Sequence, residues 1–392
     1  MAGMSRTAEA RIRPELLIWA RDSAGLTIEE AAKKAHIKPD RLQEWEDGLS
    51  RPTIAQLRLL GRAYRRPLAV FYLSKPPTTF MPIRDFRRMS GEIARRTSFE
   101  LTLELRRAHD RREIALELVD DLGSELPRFI ATISPKDDPE RAASQLRTYL
   151  GVTRAEQATW KGRYGPFNAW RAVFERHGLL AFQAKGVSLD EMRGFSLADD
   201  PMPTVVVNMA DSPNGRVFSL AHELAHVALR RGGLCDMVEF APRPQEEDHV
   251  EVFCNRVAAA FLLPADWLLN DPTILQHRGS AWSDVDLGLL SQRYNVSREA
   301  FLRRLLTLDR TSREFYQKKR AQFIEEYKKR REQQSGFAPP DTVAVGRAGN
   351  LFTRLVLESY HRERITSGHV AEYLDVKLKH LHNIEQAATL AR

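Results

Sequence analysis

Three residues within five positions could do chemistry: His222, Glu223 and His226, in the pattern His-Glu-x-x-His. On a helix, residues four apart share a face, so two imidazoles can reach one zinc ion while the carboxylate between them points at the water that the metal activates. The chemistry is hydrolysis. Zinc lowers the pKa of its water to about 7, and Glu223 takes the proton as the water attacks a polarised peptide carbonyl, then hands it to the leaving amine. Two histidines leave a tetrahedral ion with one protein position and one water. Glu247 and Glu251 both lie at the border of the apolar face of the next strong helical pattern, 246–263, and geometry alone does not choose between them.

The elements that must position these residues are a strand and a helix. Residues 204–209 are a β-branched run that reads as a strand, 211–215 form a turn cluster, and Phe218, Leu220, Leu224 and Val227 continue an apolar stripe at helical spacing up to Gly232 and Gly233. Residues 178–183 and 193–197 are further strand candidates, and 140–150 and 166–177 are helical, so a small sheet is expected to pack against the motif helix. Cys235 follows His226 by nine residues, just beyond the glycine pair. Its thiolate could fold back as a fourth ligand, displace the water and hold the site off; the plainer reading is a small buried thiol in a loop.

Residues 14–74 read as short helices with tight punctuation: 14–24, 27–35, 40–47, 53–64 and 67–73, with Thr27 and Glu30 forming a capping box and Gly48 closing the third helix. This spacing is that of a helix-turn-helix unit. Docked in the usual way, the third helix would place Lys38, Arg41, Gln43 and Glu44 near base edges or phosphates, with Lys38 and Arg51 on phosphates. The alternative is that the small domain binds only protein or pairs with itself.

The 392 residues suffice for two or three domains, and 43% hydrophobic with 29% charged residues is a globular composition. No apolar run is long enough to span a bilayer and residues 1–13 lack the apolar segment of a signal peptide, so a cytoplasmic protein without membrane contact is expected. Two cysteines are too few for a disulfide framework. A net charge of +8 allows an acidic partner such as nucleic acid without demonstrating one. The charged pattern 98–122 suits a solvated strut or the face of a homodimer. Residues 284–306 again read as helix, turn, helix, with packing favoured over a second DNA reader, and 310–334 and 343–392 are helical.

The segment around Trp45-Glu46-Asp47-Gly48, Arg51-Pro52-Thr53 and Leu57 resembles the XRE family of helix-turn-helix regulators, departing from it at Thr27-Ile28, where members often carry Ser and Gln. The run His222 to His226, followed by Glu251-Val-Phe-Cys-Asn255, Ala259 and Phe261-Leu-Leu-Pro264, resembles the ImmA/IrrE family of zinc metallopeptidases. That resemblance implies Glu251 as third zinc ligand, Asn255 as its support one turn later, and a cysteine that holds some members off. The XRE resemblance implies double-stranded DNA as one partner, bound through the N-terminal domain. The other, implied by the ImmA/IrrE resemblance, is a repressor-like protein substrate, whose cleavage switches on mobile-element, stress or defence genes. The expected architecture is multidomain and mainly α. It comprises an all-α helix-turn-helix domain (1–78), a helical connector (79–124), an α+β zincin-like metallopeptidase domain with a small sheet (125–306) and a helical C-terminal region (307–392). The competing function is a non-cleaving regulator or antitoxin whose peptidase fold acts as a sensor or dimerisation platform.

Overall fold

A computed structural model describes residues 9–77, 97–235, 245–333 and 339–390. Its chain divides into two compact units, Met1–Pro82 with Glu92–Arg107, and Ile83–Gly91 with Ala108–Arg392.

In the first unit, four helices follow the punctuation of the sequence: α1 (Pro14–Asp22), α2 (Ile28–Ala35), α3 (Pro39–Glu46) and α4 (Ile54–Tyr64), then a short 3-10 helix, Leu68–Tyr72. Thr27 and Thr53 each accept a hydrogen bond from the backbone three residues on, and Glu30 and Gln56 reciprocate, so both α2 and α4 start in capping boxes. Leu17, Ala31, Leu42, Trp45, Leu57, Tyr64 and Phe71 form the core. Arg21 binds Glu46 through Nε and Nη2 at 2.9 and 3.0 Å, a two-pronged pair that ties α1 to α3.

Helix α5 (Phe99–Leu122) begins in the first unit and continues into the second. It is not a solvated strut: Leu101, Leu105, Ala115 and Leu118 are buried, and so are Glu104, Arg106, Arg111 and Arg112. The guanidiniums find carbonyls, as when Arg106 donates to Tyr64 O at 3.2 Å and Arg112 to Pro201 O at 2.8 Å, which lets a charged helix be an inside one.

The second unit holds α6 (Pro139–Leu150), α7 (Arg154–Thr159), α8 (Gly165–Arg176), the strands β1 (Leu180–Ala184), β2 (Gly194–Leu197) and β3 (Thr204–Asn208), α9 (Pro213–Ala228), β4 (Gly233–Cys235), α10 (Gln245–Leu262), α11 (Ala265–Leu269), α12 (Pro272–Gln276), α13 (Asp284–Arg293), α14 (Arg298–Thr307), α15 (Arg313–Gln333), α16 (Pro340–Ala348), α17 (Asn350–His361), α18 (Ser367–Tyr373), a 3-10 turn Leu378–His380 and α19 (Leu381–Leu390). The sheet runs β1-β3-β2-β4; β1 and β3 are parallel, and β2 is antiparallel to both its neighbours. Ala181, Val205 and Val207 face a core that includes Val217, Leu220 and Leu224 of α9. On the opposite parity, Phe182 meets Phe352 of α17 edge to face at 5.8 Å. Covered on both faces, the strands read as continuous apolar runs rather than alternating ones. β4 is a strand the sequence reading lacked. Gly232 explains its place, because a Cβ there would lie 2.7 Å from Ser196 O, so only glycine lets the chain come this close to β2. In α14, Phe301, Leu302, Arg304 and Leu305 are buried, so the helix-turn-helix of 284–306 packs as expected.

A polar hub beneath this core gives a stability test. Asp271, with no exposed surface, accepts from Arg293 Nη1 at 2.9 Å, the Tyr294 hydroxyl at 2.8 Å and the Thr273 amide at 3.0 Å. Burial pushes its carboxyl up, but these hydrogen bonds outweigh burial and hold it below its ordinary 3.8. A depressed folded-state pKa means stabilisation that is full above the unfolded value and is lost as pH falls through the folded one. Asp271→Asn should therefore lower unfolding free energy by about 1–3 kcal/mol at neutral pH. In denaturant titrations the gap to the parent should narrow only below about pH 4.

Candidate functional site

The motif helix α9 starts where the turn chemistry places it: Ser212 caps it by accepting from the Gly215 amide at 3.0 Å, and Pro213 occupies its first turn. From Arg216 to Ala228 every residue is buried, so its polar face points into protein rather than solvent. His222 and His226 come together there with their Nε2 atoms 3.1 Å apart. Helix α10 packs along α9 through Val257, Ala258 and Phe261 and brings up Glu251. Its Oε1 is 2.9 Å from His226 Nε2 and its Oε2 is 3.4 Å from His222 Nε2.

These three residues are a group that could hold a metal ion. Their donor atoms suit one: nitrogen and oxygen ligands at about 2.0–2.2 Å around a tetrahedral ion sit roughly 3.3 Å from one another, and the observed spacings of 2.9–3.4 Å bracket that figure. Two neutral imidazoles with one carboxylate are also the donor set that borderline divalent ions take. The side chain of Glu247 lies outside the described residues.

Glu223 is equally buried but faces the sheet. A Cβ on Gly194 would come within 2.6 Å of its Oε1, and Ser196 lies two residues along the same face of β2. Burial pushes the Glu223 carboxyl up, against the pull of His222 and His226 and with the push of Glu251. Burial acts on Glu251 in the same sense, but the two imidazoles and their hydrogen bonds hold its carboxyl well below the ordinary range. Neighbouring carboxylates are thus driven in opposite directions. Cys254 adds a third effect: burial raises its thiol, which also contacts His226. Gly194, Ser196 and Cys254 were not singled out from sequence. The signals for them were the period-two pairing of positions 194 and 196 on a strand, and the place of Cys254 between Glu251 and Asn255.

Asn255 lies one turn beyond Glu251, and its buried Oδ1 has no hydrogen-bond partner among the described residues. Cys235 ends β4, two strands from β3, while its side chain lies outside the described residues. In the first unit, Lys38 precedes α3 as its N-cap residue, and Arg41 and Gln43 sit on the exposed side of that helix. Arg41 Nη1 bonds Glu44 at 2.6 Å and Gln43 Nε2 bonds Asp47 at 2.9 Å, so each has an acidic neighbour one turn further along. Arg51 is exposed in the loop between α3 and α4.

Residues 17–71 match the sequence model of the Helix-turn-helix family. Residues 175–306 match that of the IrrE N-terminal-like domain, a peptidase family, and span both the metal-ligand cluster and Glu223. No curated protein matches the chain. The helix-turn-helix domain supports DNA binding and the second match supports a metallopeptidase-like domain. No helix among the described residues is long and apolar enough to cross a membrane. The chain is thus a fusion of an XRE-type helix-turn-helix domain with a peptidase-family domain of the IrrE/ImmA type.

Proposed function

We propose that this protein is a cytoplasmic, DNA-binding zinc endopeptidase that regulates transcription by cleaving a repressor-like protein in response to stress or defence signals. The observation that carries the reading is the convergence of His222, His226 and Glu251 beside a separately held Glu223. His222, His226 and Glu251 would hold the zinc. When bound, the ion supplies Lewis acidity that polarises a peptide carbonyl and lets water act as a nucleophile near neutral pH. Glu223, packed against Gly194 of β2, takes the proton of the attacking water and returns it to the amine nitrogen as the C–N bond breaks. Burial keeps that carboxyl willing to hold a proton between the two transfers. β4 is the terminal strand of the sheet and lies next to β2, which carries Gly194 and Ser196; an extended substrate would add along it by backbone pairing. In this reading residues 1–78 recognise DNA, 79–124 connect, and 125–306 cleave.

One observation favours the second reading, a regulator that does not cleave and uses the fold as a sensor or dimerisation platform. His222, Glu223, His226 and Glu251 all show 0% exposure, so a substrate reaches them only after something opens. The readings part on Glu223→Gln: a non-cleaving regulator keeps its transcriptional output in that variant.

Metal analysis after zinc loading should give one ion per chain in the parent and in Glu223→Gln, and none in His222→Ala. Glu223→Gln should reduce metal-dependent cleavage of the repressor encoded nearest the gene by about a hundred- to ten-thousand-fold.

Gly194→Ala should retain zinc but displace the carboxylate of Glu223, since the new methyl needs the place of Oε1. Its kcat should fall by at least tenfold with little change in KM. Full activity in this variant would remove Glu223 from the proton transfer.

DNA binding by the first unit should weaken steeply with salt, and Lys38→Ala with Arg41→Ala should lower the slope of log affinity against log salt by about 2. An unchanged slope would assign the domain to protein recognition.

A further inference from the structure

The turn between α2 and α3 recurs near the end of the chain at one constant offset. In the first unit Thr27 caps α2 with a reciprocal box, His36 turns left-handed at φ 56°, and Lys38 restarts the chain in extended geometry. The Ile37 amide donates to Ala32 O at 2.9 Å and the His36 amide to Lys33 O at 3.3 Å. In the second unit Thr366 caps α18 with the same box, Asp375 turns at φ 56°, and Lys377 restarts in extended geometry. The Val376 amide donates to Ala371 O at 2.9 Å and the Asp375 amide to Glu372 O at 3.2 Å. The positions filled by Ala31, Ala35 and Trp45 inside the first unit are filled by Val370, Leu374 and Ile384, all buried. An alanine stands at the helix crossing in both, Ala32 and Ala371.

We propose that residues 366–386 form a second reader of double-stranded DNA, with the 3-10 turn and α19 as the recognition segment. Helix-turn-helix units read DNA with the start and one face of their second helix. Here that face is Lys377, Leu378, Lys379, His382, Asn383 and Gln386, every one of them exposed. It contains no carboxylate, whereas the corresponding face of α3 carries Asp40, Glu44 and Asp47. The lysines contact phosphates, Asn383 has the paired donor and acceptor that match an adenine edge, and Leu378, 50% exposed, suits a thymine methyl. Asp375 is tied to Arg347 Nη1 of α16 at 2.9 Å, and α19 packs against α16, so the reader is fixed to the second unit.

A third copy of the turn shows what would disqualify it. Asn295 is left-handed at φ 59° and the Val296 amide donates to Ser291 O at 3.0 Å, yet the residue equivalent to His382 is Leu302, with 0% exposure. There the reading face is inside the core. At 366–386 it faces water.

The test measures binding of the full chain to a short fluorescent duplex of arbitrary sequence across a salt series, in a background of Lys38→Ala and Arg41→Ala that disarms the first reader. Residual duplex binding is expected in that background. Adding Lys377→Ala and Lys379→Ala should weaken it by about tenfold and lower the salt slope by roughly 2, while Lys377→Arg with Lys379→Arg restores both. Because both lysines are exposed, circular dichroism and the melting temperature should stay at parental values. Selection from a random duplex pool should show a sequence preference that Asn383→Ala relaxes. Absence of residual duplex binding, or affinity and slope unmoved by the lysine pair, would overturn the proposal. Either result leaves the first unit's own binding, measured through Lys38 and Arg41 in the parent, as a separate question.

Discussion

Two imidazoles and two carboxylates stand wholly out of water between α9, α10 and β2, and the second unit is built around making that tolerable. A lone buried carboxylate is costly enough that it either finds partners or takes up a proton. Glu251 takes the first course, with an imidazole nitrogen within reach of each oxygen. Glu223 is less well compensated: burial raises its carboxyl against the pull of His222 and His226. The same helix pair therefore produces two carboxylates with different proton affinities, as a metal ligand and a general base require. Everything that sets the α9–α10 distance, from Val227 to Phe261, bears on this separation.

The part of this arrangement that lies along one helix was legible in the sequence, because a spacing of four is a statement about a single face. Glu251 was half legible: its helix was clear, but Glu247 stands one turn away, and only the family pattern chose between them. Gly194 and Ser196 were not legible as site residues. Their role depends on which strand lies over α9, and antiparallel pairing of 194–197 with β3 is a tertiary fact that no local pattern states. The helices of the first unit were readable nearly to the residue because Thr27 and Thr53 mark their starts chemically. β4 has three residues, too few for any periodicity to register.

Arginine is where reading by polarity misled most. In 98–122 its frequency pointed to a solvated face, yet here arginine serves as an internal cross-link. Arg147 donates to Phe261 O at 2.6 Å and Val152 O at 2.9 Å, with its plane 4.3 Å from the Trp267 ring centroid. Arg171 reaches Ala181 O at 2.7 Å and Gly346 O at 2.7 Å, joining β1 to the end of α16. Arg304 takes Leu263 O at 2.8 Å. In each case a planar fork takes up carbonyls that a helix end or strand leaves over, and Arg304 also pairs with Glu140 and Arg171 with Glu175, so the charge is met by backbone dipoles and carboxylates rather than water. Burial lowers the Arg147 guanidinium to about 10, against the pull of Asp266 and Glu156, which still leaves it charged at neutral pH. Composition counts such residues as surface; their hydrogen bonds place them inside.

The same left-handed turn appears at His36, Asn295 and Asp375, which separates what a motif specifies from what it does. In all three the amide after the left-handed residue returns to the carbonyl five residues back. Nothing in that backbone geometry distinguishes a nucleic-acid reader from a packing element. The difference lies in the second helix: Leu302 is apolar and sealed by the core, whereas Gln43 and His382 stand in water at the equivalent place. Side-chain polarity on one helical face thus decides whether this turn closes a hydrophobic core or leaves an edge for a partner, and that face can be read from sequence once the turn has been placed.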